Sequence, residues 1–172
     1  MPSLVNQGRV QGDQPPIDMD WLYPDPNTNL VINLMVVPAN AGDSRLNHWE
    51  LFWVVRGTPG DSKALRKISL EEARDGTHKR LNHLTYWGAV TKQISSTSRV
   101  HTAYKIPVGF INLDSRIRLE EIARETQVMS PYDNGRLWNC QDFTTAVLYK
   151  AVECGLFRRE AVDAALHSAS SA

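Results

Sequence analysis

The chain has 172 residues, 42% hydrophobic and 22% charged, with 19 Lys and Arg balanced by 19 Asp and Glu. That is enough sequence for one domain with a buried core. Zero net charge removes any global argument for nucleic acid, DNA included, and no run of about eighteen apolar residues offers a membrane span.

Residues 1–28 are polar and rich in proline (Pro15, Pro16, Pro24, Pro26) and read as a surface arm anchored by Trp21, Leu22 and Tyr23. Residues 29–172 read as a single catalytic domain. The first eight residues lack the basic and apolar regions of a secretory signal. Leu30–Val37, a near-continuous apolar run ended by Pro38, predicts a central strand. After the loop Ala39–Asn47, a second strand over His48–Val55 places His48, Glu50 and Phe52 on one face and Trp49, Leu51 and Trp53 on the other. The two strands form a hairpin with a loose loop. Ser69 and Glu72 have the spacing of a capping box, which predicts a short helix over residues 69–74. Leu81–Val90 and Arg99–Ile106 read as strands, and Val108–Leu113 as a further short strand or an extension. A helix opens at Asp114 or Ser115 and runs to about Gln127, and Asp133-Asn134-Gly135 marks a turn. Asn139 is suited to N-cap the next helix, with Asp142 at N3. On that helix Phe143, Val147, Ala151 and Cys154 form an apolar stripe, and Gly155 closes it. A last helix covers Arg158–Leu166. The fold class is therefore α+β, an antiparallel β-sheet followed by C-terminal helices.

Cys140 falls at the start of a helix among polar neighbours (Asn139, Gln141, Asp142), where the macrodipole and unpaired N–H groups favour thiolate. His48, at the head of a strand, is suited to exchange a proton with it. Cys154 is expected to be a buried structural residue. The two cysteines are four helical turns apart, about 21 Å, and cannot bridge within that helix, so a reducing cytosol is the expected compartment. Glu50 lies on the His48 face, suited to orient the imidazole or hold a cation. His83 and His101, on predicted strands, are candidates for a third catalytic member, whereas His78 and His167 read as surface residues. No pair of ligands has helix or zinc-type spacing and no glycine loop carries a phosphate-binding Lys-Ser/Thr, so neither a metal nor a cofactor is expected.

A His at the head of a strand, a small sheet and a late Asn-Cys helix resemble the circularly permuted papain-like fold, over roughly residues 30–155. Closer still is a group of small fungal proteins that share three features. They are a His-Trp-aliphatic strand, a helix like Leu119-Glu120-Glu121-Ile122-Ala123, and a Cys-Gln-aromatic helix ending in Gly-Leu, here Cys140-Gln141-Asp142-Phe143 and Gly155-Leu156. Phe143 stands where that group is expected to carry Trp. The group includes the arginine-containing cyclodipeptide synthases, which condense aminoacyl groups taken from transfer RNA. The resemblance implies an aminoacyl thioester on Cys140, with His48 as acid and base and the N–H groups of Cys140 and Gln141 stabilising the oxyanion. It also implies Glu50 or Asp142 as the partner of the substrate guanidinium, with Gln141 beside them. Charge is unevenly spread: residues 44–118 hold 13 Lys and Arg against 6 Asp and Glu, residues 1–43 hold 1 against 5, and residues 119–172 hold 5 against 8. Lys63, Arg66, Lys67, Lys79 and Arg80 in the basic middle are the implied RNA-phosphate contacts. Two alternatives use the same residues differently: a thiol hydrolase (peptidase, amidase or thioesterase) and a non-catalytic interaction domain.

Overall fold

The computed structural model describes residues 2–39, 43–58, 61–74, 81–133 and 136–172. His78, Lys79, Arg80, Asn134 and Gly135 lie outside the described residues. The strands are β1 (Leu30–Val37), β2 (His48–Thr58), β3 (Asp61–Ser69), β4 (Glu71–Arg74), β5 (Leu81–Thr85), β6 (Val90–Gln93), β7 (Tyr104–Ile111), β8 (Tyr132–Asp133) and β9 (Arg136–Leu137). The helices are α1 (Leu113–Glu125), α2 (Cys140–Glu153) and α3 (Arg159–Ser170). Five strands form one antiparallel sheet in the order β6-β3-β2-β1-β7, while β4-β5 and β8-β9 are separate two-stranded pairs. The α+β class and the antiparallel sheet agree with the sequence, and among the described residues no helix is long and apolar enough to cross a membrane.

Alternation along β2 divides its side chains as its period of two requires. Trp49, Leu51 and Trp53 join Ile32, Leu34, Ile68 and the buried residues of α2 and α3 in the main core, with α2 packed on β2 and α3 on β7. On the opposite face Phe52 packs with Met35 and Leu65 in a smaller cluster.

Residues 69–74 do not form the expected helix. Glu71–Arg74 pairs with β5, Glu72 opposite Leu84, and Leu70 and Leu84 are fully buried. Burial of two leucines in long-range pairing outweighs a local capping pattern, whose worth is on the order of 1 kcal/mol. The expected strand over residues 81–90 is two strands in different sheets, separated by residues 86–89, where Gly88 has φ 108°. Residues 99–106 are likewise divided, because Ser98 caps a short 3-10 turn at Arg99–His101 before β7 begins at Tyr104.

The N-terminal arm is held by polar contacts rather than by Trp21 and Leu22, which are 76% and 46% exposed. Arg116 of α1, fully buried, directs its guanidinium to Asp25 (2.9 Å) and to the carbonyls of Pro26, Thr28 and Ile111. Trp53 Nε1 donates to the same Asp25 carboxylate at 3.0 Å. Nearer the N-terminus, Leu4 N–H donates to the Val128 carbonyl and Tyr86 N–H to that of Gln7.

Candidate functional site

The start of α2 is a capping box. The Asn139 side chain accepts from Gln141 N–H (2.9 Å) and Asp142 accepts from Asn139 N–H (3.0 Å). Asp142 also pairs with Arg45 at 2.9 Å. Gln141, 5% exposed, accepts from Arg45 and donates to the carbonyls of Ser44 and Asn47. Gln141 and Asp142 therefore fasten the turn before β2 onto the helix that carries Cys140, and this brings His48 to the cysteine. The far end of α2 is a Schellman closure, with Gly155 at φ 75° and the N–H groups of Gly155 and Leu156 bonded to Val152 and Ala151.

The two cysteines have environments opposite to those their sequence neighbours suggest. Cys140 is fully buried, and Trp49 N–H donates to its sulfur at 3.4 Å. Cys154, at the C-cap of α2, is exposed beside Arg118 because the helix ends before its position on the stripe turns inward. Nor is the Cys140 thiolate favoured. Burial, then the charge and hydrogen bond of Glu72, push the thiol well above its ordinary value, against a smaller opposing pull from the backbone N–H groups of Trp49 and Cys140. The helix dipole does not offset this desolvation.

Glu72 of β4 is the residue that sequence reasoning missed. Its carboxylate accepts from Cys140 N–H at 3.2 Å, the first amide of α2. The Gln141 N–H is taken by the Asn139 cap, so both expected oxyanion donors already have acceptors. A signal did exist: as a strand, residues 70–74 put Glu72 on the same side as buried Leu70, an unusual place for a carboxylate. One coordinating atom from each of His48, Glu72 and Cys140 lies within 4.8 Å of the others.

His48 is held from its other side. Its Nε2 lies 3.1 Å from Ser69 Oγ and 3.4 Å from Glu50 Oε2. Lys67 Nζ approaches the same Glu50 oxygen at 2.7 Å. Burial opposes ionisation of Glu50, but the hydrogen bond from His48 and the charge of Lys67 prevail and hold its carboxyl at about 2. Neither His83 nor His101 fills the third position. His83 Nε2 bonds to the Gly8 carbonyl, and His101, exposed, bonds to that of Ser95 at 3.0 Å. Glu50 and Ser69 stand where a third member would be.

Beside this cluster opens a cavity of about 390 Å³, with His48, Lys67, Ser69, Glu72, Trp87 and Lys92 on its walls. Cys140 lies behind His48 and Glu72 rather than on the wall. The proposed guanidinium partners are engaged within the protein, Glu50 with Lys67 and Asp142 with Arg45. Among the described residues, three arginines of the basic middle pair with carboxylates of the acidic ends. Arg66 pairs with Glu120 (2.5 Å) and Asp18 (3.6 Å), Arg116 with Asp25 and Arg45 with Asp142. Lys63 pairs with exposed Asp61 at 2.8 Å. Of the expected phosphate contacts in the described residues, Lys63 alone is well exposed, at 59%, against 13% for Arg66 and 24% for Lys67.

Compared with known proteins, the chain matches no family model, no curated protein and no solved structure.

Proposed function

We propose that this protein is a cysteine-dependent aminoacyl transferase on a permuted papain-like fold, acting in the cytoplasm and forming an arginine-containing cyclic dipeptide from aminoacyl-transfer RNAs. The observation that carries the acyl-transfer reading is the meeting of a thiol, an oriented imidazole and a helix N-terminus beside a cavity. In the first step Cys140 Sγ attacks the ester carbon of the aminoacyl group. The S–C bond forms, the ester C–O bond breaks, and the thiol proton passes through His48 to the departing ribose oxygen. The amine of a second aminoacyl group then attacks the thioester, breaking C–S and returning a proton to sulfur. Attack by the free amine on the second ester closes the ring: the C–N bond forms, the ester C–O bond breaks, and the second transfer RNA leaves with the proton on its ribose oxygen.

The acyl oxygen needs the Cys140 N–H, so substrate entry displaces Glu72 from that amide. The same displacement weakens the Glu72 contribution that, after burial, holds the thiol protonated. For a guanidinium substrate the cavity offers Glu71, whose carboxylate accepts from Trp87 Nε1 at 3.0 Å, together with the indole face.

A second reading, a thiol hydrolase, is favoured by the internal pairing of Arg66 and Lys67, which engages two of the expected phosphate contacts within the protein. Expression in a host that makes no cyclic dipeptides, followed by metabolite profiling, tests the proposal. Cyclic dipeptides that disappear with Cys140→Ala and, in extract, with ribonuclease support the transferase. Ester or peptide turnover indifferent to ribonuclease replaces it with the hydrolase, and unchanged turnover in Cys140→Ala overturns both.

A further inference from the structure

His48, Glu72 and Cys140 reach one point from β2, β4 and α2, and their coordinating atoms lie within 4.8 Å of one another. They are distant in sequence, so no spacing motif announces them. We propose that these three residues bind one divalent transition ion of zinc type, through imidazole nitrogen, carboxylate oxygen and thiolate sulfur, with the fourth position facing the cavity.

The donor set selects the ion. Magnesium and calcium require oxygen ligands throughout, whereas a sulfur, a nitrogen and a carboxylate oxygen suit zinc or cobalt. Metal–ligand bonds of about 2.0–2.3 Å in a tetrahedron put donor atoms roughly 3.3–3.8 Å apart. Atoms within 4.8 Å of one another are within reach of that geometry through small side-chain rotations. The outer shell is already built. His48 Nε2 lies against Ser69 and Glu50, so coordination through Nδ1 would leave the ring held from behind, as carboxylates behind metal-bound histidines do. Trp49 N–H donates to the sulfur at 3.4 Å. Binding exchanges the thiol proton for the ion: the S–H bond breaks, the sulfur–metal bond forms and one proton leaves to solvent. The dication offsets the thiolate and carboxylate together, which suits a sulfur with no solvent exposure.

Metal and acyl group compete for the same sulfur, so under the acyl-transfer reading the ion is a reversible inhibitor. The binding claim itself does not depend on that reading.

Cobalt(II) is the probe, added to full-length protein first stripped with chelator. One equivalent is expected to raise a thiolate-to-cobalt charge-transfer band together with the visible bands of a four-coordinate ion, and zinc should remove them. Cys154→Ser should leave the bands unchanged, and Cys140→Ser should abolish the charge-transfer band. His48→Gln and Glu72→Gln should each weaken cobalt binding at least tenfold while near-ultraviolet circular dichroism reports intact packing. If Cys140→Ser fails to fold, these two variants decide alone. A wild-type protein without a saturable one-equivalent band overturns the proposal. So does a band that survives Cys140→Ser or vanishes with Cys154→Ser, or unweakened binding in both His48→Gln and Glu72→Gln. Cobalt binding combined with undiminished turnover by Cys140→Ala refutes the acyl-transfer reading and leaves the metal site standing.

Discussion

Replacing Arg66 with methionine distinguishes an arginine that serves the fold from one that serves a ligand. Its guanidinium makes two bonds to Glu120, at 2.5 and 2.9 Å, and a third to the hydroxyl of buried Thr91 at 3.1 Å. Both members of the ion pair are only 13% exposed. Truncation leaves the Glu120 carboxylate in a poorly hydrated place and Thr91 without its donor. Breaking a buried pair by removing one partner costs about 3–5 kcal/mol, and the residual exposure here places the loss near 3 kcal/mol. With a urea dependence of about 2 kcal/mol per molar, the unfolding midpoint should fall by about 1.5 M. Arg66→Met combined with Glu120→Leu should recover most of that loss, because the pair is then replaced by apolar packing instead of being orphaned. Circular dichroism across a urea series measures both. A midpoint shift below about 0.3 M for the single variant, with a loss of RNA affinity, would refute the structural assignment of Arg66.

Arg116→Leu should cost about 3–5 kcal/mol, since Asp25 and three carbonyls lose a buried cation, and should speed proteolysis within residues 1–28. Arg116→Lys should not rescue it, because an ammonium cannot reproduce the guanidinium fork. Asn139→Ala should lower stability by about 1–2 kcal/mol through loss of the cap. Asn139→Asp keeps the cap acceptor but loses the 2.8 Å bond to the Arg45 carbonyl, so its melting temperature should fall between the two. In native protein, iodoacetamide followed by mass mapping should find Cys154 modified before Cys140; preferential labelling of Cys140 would contradict its burial. Cys140→Ala should cost about 1 kcal/mol and Cys154→Ala less than about 0.5 kcal/mol, as calorimetry would show.

Where order was local, the sequence carried it. The apolar run of β1, the alternation of β2 and the Asn139 cap of α2 depend on neighbouring residues, and each is found close to its expected bounds. β3 was not legible because Arg66 and Lys67, charged on opposite faces, are compatible with a central strand only once Glu120 and Glu50 are in place. Both partners are remote in sequence. The same holds for Cys140: its neighbours are polar, and what buries it is packing against the head of β2 and the Glu72 carboxylate of β4. His48 and Cys140 could be paired from their residue types and positions, but the carboxylate between them required the β4-β5 pairing to be seen.

The clasp between Asp25 and Arg116 has a consequence for the chain as it is made. The two residues are 91 positions apart, and at roughly 5–20 residues per second the aspartate waits about 5–18 seconds for its arginine. During that interval the indole N–H of Trp53 has Asp25 as an acceptor, yet the tryptophan face of β2 has no helix upon it, because α2 is translated later still. The nascent sheet therefore emerges with that apolar side sheltered first by Leu70, Leu84 and Tyr86, and it is closed when α2 and α3 follow. Synthesis pauses placed before α1 should increase aggregation of this chain, whereas pauses placed after α3 should have little effect on its yield.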